Sequence, residues 1–335
     1  MSATIKDVAK MAGVSISTVS RVINDSKPVS PEVRKKVLDA IEELDYKPNQ
    51  VARSLVTRKS NLIGIIMTDI GNAYMAQMIR GIEEVGRMYN YDILLSSSYG
   101  NANRERELAE LLKSKQVEGI IFISEAANKS AASLISEFGI PFVYLNKYYA
   151  DHEFPSVSVD DLQGAQDMVD YLQELGHRKI LYITSNEYEN SSVEKQKIEG
   201  YRRSINKNSG EEFILSIGGY EVDDGYNVGN NVVKLIKEDG ITAVFCRQDE
   251  IAIGLINYCY DNNIRVPEDI SICGYGDTKI SSIYRPKLTT VREPYYDMGA
   301  VAIRKIIKEI DSKKEKRENI YLPLHIIERE SCSRI

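Results

Sequence analysis

The 335-residue chain has no tryptophan, three histidines and four cysteines, and each scarcity removes a class of chemistry. His152, His177 and His325 have no HExxH spacing and no GxSxG elbow beside them, so neither a metal site nor a serine nucleophile is expected. Cys246, Cys259, Cys273 and Cys332 form no CxxC pair, and three of them sit in apolar runs where a free thiol packs as a small hydrophobe. Gly274-Tyr275-Gly276-Asp277 begins like a dinucleotide loop, but Lys279 stands where the third glycine belongs, and there is no Walker lysine motif. No cofactor is expected. No apolar run approaches the length of a membrane span, and the opening residues MSATIKDV carry no apolar signal region, so a cytoplasmic location without membrane contact is expected. The acid pairs Asp160-Asp161 and Asp223-Asp224 are adjacent, which points them apart in extended chain and leaves them on neighbouring solvated positions in a helix. Turn or cap roles follow, with no catalytic residue assigned. The expectation is a protein that binds without chemistry.

An excess of positive charge is also missing, since 43 Lys+Arg face 49 Asp+Glu for a net charge of −6. The charge is unevenly placed. Residues 1–60 hold 11 Lys+Arg against 7 Asp+Glu, and the remainder holds 32 against 42. A basic head on an acidic body suits a nucleic-acid-binding module attached to a sensor.

The head carries the clearest local signal. Thr4 with Asp7 is a capping-box pattern, Ile5, Val8, Ala9 and Ala12 recur at helical spacing, and Gly13 ends the helix. Ser15 can cap a second helix with Val19, Val22 and Ile23 on one side and Ser17, Arg21 and Asn24 on the other. This is a helix-turn-helix pattern, in which one face packs and the other reads DNA. Arg21 is the candidate for a forked pair to guanine O6 and N7. Ser30-Pro31-Glu32 then opens a third helix through Leu44, with Val33, Val37, Ile41 and Leu44 inward. Lys47-Pro48-Asn49 breaks it, and Gln50 to Lys59 is short, weakly helical and basic.

Those residues, DVAxxAGVSxxTVSRVIN followed by KPVSPEVRKKVLDAIEELDYKPNQVARSL, resemble the head-piece of the LacI/GalR transcription regulators. The resemblance implies a DNA-binding domain over 1–48 and a hinge helix over 49–60 that presses Leu55 into the minor groove. With it, the expected DNA-contacting set is Thr4, Ser15, Ile16, Ser17, Thr18, Arg21, Asn24, Tyr46, Ala52 and Leu55. Reading paired half-sites of operator DNA requires a twofold protein, so a homodimer is expected.

From Leu62 onward, short apolar runs (LIGIIMT, DILLSS, GIIFIS, PFVYLN, SVSVD, ILYIT, AVFC, ISICGYG) alternate with amphipathic stretches near 74–89, 105–115, 162–175 and 250–262. That alternation predicts an α/β core of two subdomains with parallel sheets, and it places a ligand cleft at the carboxyl ends of the strands. The core is similar to the periplasmic-binding-protein-like core of the same family. The resemblance implies subdomain one over about 61–160 and 292–322, and subdomain two over about 161–291 and 323–335.

Within the family the body looks closest to the catabolite control proteins, through Gly81-Ile82-Glu83-Glu84, Met88 to Ile93, Lys115 to Phe122 and Tyr296 to Arg304. This implies a partner, the phosphocarrier HPr phosphorylated on serine, at Met88, Tyr89, Tyr296, Asp297 and Arg304. A second phosphate-binding arginine of those relatives aligns with His325, which offers one good donor where arginine offers a fork. The competing reading is a small-molecule effector, a sugar or nucleoside, held in the cleft by Tyr74, Asn146 and Asp160. Gly276 speaks against it, because sugar- and purine-binding members usually carry an acid there to accept ligand hydroxyls.

Overall fold

The computed structural model describes residues 3–25, 27–46, 59–123, 129–145, 154–186, 191–207, 210–312 and 319–335. The chain divides into two compact units, residues 1–60 and 61–335.

The first unit holds α1 (Ile5–Ala12), α2 (Ile16–Asn24) and α3 (Pro31–Glu43). At the start of α1 the Asp7 carboxylate accepts from the Thr4 N–H at 2.9 Å and from the Thr4 hydroxyl at 2.7 Å. Gly13 then turns the chain at φ 66°. A Cβ there would meet nothing within 4 Å, so backbone conformation alone favours glycine. Ser15 caps α2 by accepting from the Thr18 N–H at 3.2 Å. Val8, Ala9, Ala12, Val19, Val22, Val37 and Ala40 are buried together. Val33, expected inward, is only half-buried and lies outside this cluster, where Ala40 packs instead.

The second unit contains two six-stranded sheets. The first is built from β1 (Leu62–Met67), β2 (Asp92–Ser97), β3 (Gly119–Ile123), β4 (Phe142–Leu145), β5 (Ser156–Val159) and β11 (Asn319–Leu322). Its helices are α4 (Ala73–Met88), α5 (Ala102–Ser114), α6 (Lys129–Phe138) and α13 (Tyr295–Ser312). The second is built from β6 (Ile180–Ser185), β7 (Phe213–Ile217), β8 (Ala243–Cys246), β9 (Ser271–Gly276), β10 (Thr289–Arg292) and β12 (His325–Ile327). Its helices are α7 (Asp161–Glu174), α8 (Ser192–Lys207), α9 (Val222–Asn227), α10 (Gly229–Asp239), α11 (Asp249–Asp261) and α12 (Lys279–Ile283).

The strand orders are β11-β5-β4-β3-β1-β2 and β12-β10-β9-β8-β6-β7. Among the described strands every ladder is parallel except β10 with β12. The chain therefore passes between the sheets after β5, after β10 and after β11. The alternation read from sequence left out α6, α8, β7, α9, α10, α12 and β10. The reason for α8 is composition: SVEKQKIEGYRRSINK is strongly polar, yet Glu194 and Lys197 are buried beside Ile198, Tyr201 and Ile205. No described helix is long and apolar enough to cross a membrane.

Helices α4 and α13 touch through glycine. A Cβ on Gly81 would lie 2.0 Å from the Tyr296 carbonyl oxygen, and one on Gly299 would lie 2.1 Å from that of Met78. Since backbone cannot retreat as a side chain can, Gly81→Ala is expected to destabilise the core by roughly 1–3 kcal/mol. Gly71→Ala, whose Cβ would meet only ordinary contacts from 3.4 Å outward, is expected to be near neutral. Urea denaturation of both variants checks the contrast.

Candidate nucleic-acid interface and core cleft

Ser15, Ile16, Ser17 and Arg21 are exposed on α2, opposite the buried Val19 and Val22, while Thr18 is half-buried. The Ser15 hydroxyl lies 2.7 Å from that of Ser17 and 2.9 Å from that of Thr18, which orders three hydroxyls at the amino end of the helix. Hydroxyls and free N–H groups at a helix amino terminus suit phosphate oxygens, and Arg21 one turn further suits a base edge. Thr4 is exposed at the start of α1, and Tyr46 packs partly buried against the three-helix core. Ala52, Leu55 and the Asn24 side chain lie outside the described residues, as does Asn146.

On the core, Met88 is 75% and Tyr89 51% exposed at the carboxyl end of α4. Tyr296, Asp297 and Arg304 are exposed on α13, which packs against α4. The Tyr296 hydroxyl donates to Glu84 at 2.8 Å, and Glu84 also accepts from Arg80 at 2.8 Å, so charged and aromatic groups alternate over this helix pair. His325 belongs to the other half, on edge strand β12. It stands opposite Arg292, whose Nε donates to Asp277 at 2.6 Å.

The strand orders place a reversal between β1 and β3 and another between β6 and β8, where ligand clefts form. Among the described residues the cleft is lined closely by side chains. A cavity of about 30 Å³ remains, lined by Tyr74, Val193, Lys197, Arg247, Gln248, Glu250, Tyr275, Thr278, Glu293 and Tyr295. Small-molecule sites usually measure roughly 300–1,000 Å³, so this cavity by itself is far smaller than one. A larger groove of about 470 Å³ lies at the amino ends of β3 and β4, away from the strand ends that carry these groups.

Side chains of the chain itself occupy the cleft. Tyr74 packs on Tyr295 with ring centres 5.4 Å apart. Lys197 Nζ sits 3.5 Å from the centre of the Tyr275 ring and 3.9 Å from Asp161, and Arg247 pairs with Glu194 at 3.1 Å. Glu194 is fully buried and also accepts from Tyr182 at 2.9 Å and Thr184 at 2.5 Å.

The expectation that both Asp160 and Asp161 are solvated is corrected. Asp160 is exposed and caps α7, accepting from the Gln163 N–H at 3.0 Å, whereas Asp161 is buried and accepts from the Tyr275 hydroxyl at 3.0 Å. Burial pushes the Asp161 carboxyl up, while Lys197 pulls it back. Asp160 does not line the cavity, and Tyr74 does. Gly276 has φ 125°, and a Cβ there would come within 3.1 Å of the Tyr295 hydroxyl. Backbone conformation as well as lost acidity thus separates this position from an acid-bearing one. Sequence reasoning missed Lys197, Arg247, Glu293 and Tyr295. The rule that ligands meet strand ends could have found Arg247 after AVFC and Glu293 after TTVR.

The lacI family of bacterial regulatory proteins matches at residues 4–49, and the periplasmic binding protein-like domain matches at residues 169–332. The HTH-type transcriptional regulator RegA of Clostridium saccharobutylicum is 39% identical over 334 residues, spanning 99% of each chain. The chain belongs to the lacI family. Catabolite control protein A of Priestia megaterium is 38% identical over 335 residues, again spanning 99% of each chain. The lac repressor dimer bound to operator and the anti-inducer ONPF has the same fold, with a TM-score of 0.87 over 99% of this chain and 100% of that one at 24% identity. This lacI-family chain is a DNA-binding transcriptional regulator with a helix-turn-helix head and a periplasmic-binding-like core.

One wall of this regulator's cleft has a titration consequence. Asp249 is fully buried and accepts from the Thr278 N–H at 2.6 Å and the Thr290 hydroxyl at 2.6 Å. Burial raises its carboxyl from 3.8 to about 7, against the lowering effect of those donors. The folded state therefore keeps a proton that the unfolded chain releases near pH 4, and this group's contribution falls as pH rises from about 4 to about 7. The steepest slope is about 1.4 kcal/mol per pH unit. In urea melts across that window, Asp249→Asn is expected to gain on wild type as pH rises, and a constant gap would refute the assignment.

Proposed function

We propose that this regulator works in carbon catabolite control, binding pseudo-palindromic operators as a homodimer with serine-phosphorylated HPr as co-regulator. Residues 1–48 read DNA, 49–60 form the hinge with Leu55 as the minor-groove wedge, and 61–335 form the regulatory core without catalysing a reaction. The observation that carries the reading is the exposed face of α2, where Ser15, Ser17 and Arg21 stand clear of the core that Val19 and Val22 anchor. Two similar relatives bear on the pathway, since RegA is named a transcriptional regulator and the Priestia protein a catabolite control protein. Arg21→Ala is expected to cost about 1–3 kcal/mol per half-site and to relax preference at one base pair. A binding selection on randomised operators tests this, and unchanged preference would refute it.

For the co-regulator, Arg304 supplies the guanidinium that forks onto a phosphate. The exposed Met88, Tyr89, Tyr296 and Asp297 of the same helix pair support a protein surface there. His325 makes the phosphate site weaker than one with two arginines. By calorimetry, Arg304→Ala is expected to abolish binding of serine-phosphorylated HPr and His325→Arg to strengthen it. No binding to wild type, or binding indifferent to both changes, would overturn this partner and leave a small molecule in an opened cleft as the regulator.

A further inference from the structure

After β12 the C-terminal segment runs along the start of β9. The Ile272 N–H donates to the Ser331 carbonyl at 2.9 Å, the Ser331 hydroxyl donates to the Ile272 carbonyl at 2.5 Å, and the Ser333 N–H donates to the Ser271 hydroxyl at 3.1 Å. This docking brings two thiols together. Cys332 Sγ lies 3.5 Å from the Ile272 carbonyl oxygen, on the peptide that leads into Cys273. Both side chains pack in one cluster with Met168 and Val169 of α7. Their access differs, because Cys273 is fully buried and Cys332 only partly so.

We propose that Cys273 and Cys332 are an oxidisable thiol pair that hydrogen peroxide converts into an intramolecular disulfide, fastening the C-terminal segment to β9. The more accessible Cys332 reacts first. Its sulfur attacks one peroxide oxygen, the O–O bond breaks, and a water departs with the thiol proton, leaving a sulfenic acid. The Cys273 sulfur then displaces the sulfenic hydroxyl, so that the S–S bond forms, the S–O bond breaks, and the Cys273 proton leaves in a second water. The two thiols together lose two electrons, and one peroxide is reduced to two waters. Burial pushes the Cys273 thiol well above its ordinary range, so the first attack on peroxide falls to Cys332, and Cys273 gives up its proton only as the S–S bond forms. The bridge closes a loop that contains the crossings after β10 and after β11, so it ties both later connections between the sheets to one strand.

The test treats the full-length protein with hydrogen peroxide, blocks remaining thiols with N-ethylmaleimide in denaturant, and digests with trypsin. The expected product is a disulfide joining peptides 266–279 and 330–334, removed by dithiothreitol and absent in Cys332→Ser. Oxidation is also expected to raise the thermal midpoint of wild type by several degrees and to leave that of Cys332→Ser unchanged. Recovery of Cys273 fully alkylated, whether Cys332 is untouched, carried to sulfinic acid or joined to a second copy, would overturn the proposal. So would a linked peptide with no change in midpoint, which would remove the fastening.

Discussion

A parallel sheet exposes neither face to water without loss, so each sheet of this core must be covered by helices on both sides. The chain meets that requirement twice while crossing between the sheets three times, and the crossings fix what happens elsewhere. They bring α13 back to lie on α4 and send β12 on to close the far edge of the second sheet. Residues that follow β8, β9 and β10, namely Arg247, Thr278 and Glu293, then converge on the same small space as Tyr74 and Tyr295. The cleft follows from strand direction, because every connection in a parallel sheet must leave from a carboxyl end.

What fills that cleft is electrostatic. Lys197, Arg247, Glu194 and Asp161 are all nearly excluded from water, and charges in such a place persist only when paired and hydrogen-bonded. The pairing is dense: Glu194 collects two hydroxyls and a guanidinium, and Lys197 lies over the Tyr275 ring. A ligand entering here would have to replace interactions the side chains already make with one another. The glycine at 276 adds no acceptor to this set.

The head is held differently. Its core is valine and alanine, small side chains that let three short helices approach closely, and its ends are secured by Thr4 with Asp7, Gly13 and Ser15. Because Val19 and Val22 commit one side of α2 to that core, the hydroxyls and Arg21 are left on the other. Packing thereby leaves these side chains exposed together on one face without any residue dedicated to orienting them.

Thr4, Gly13, Ser15 and Pro31 were legible in sequence because caps and turns are satisfied by neighbours within a few residues. The strand and helix alternation of the core was legible for the same local reason, and so was the failure of Gly274 to Lys279 as a dinucleotide loop. Helix α8 was not, since its buried Glu194 and Lys197 look like solvent-facing residues until the partners Arg247 and Asp161, from other elements, are beside them. Asp161 was read as solvated because adjacency to Asp160 says nothing about which of the two turns inward. Caps, periodicities and the family likeness were properties of short windows and could be read without the fold. That Lys197, Arg247, Glu194 and Asp161 pair inside the cleft and that Cys332 packs beside Cys273 came only from the fold, because each depends on chain segments that the crossings bring together from far apart.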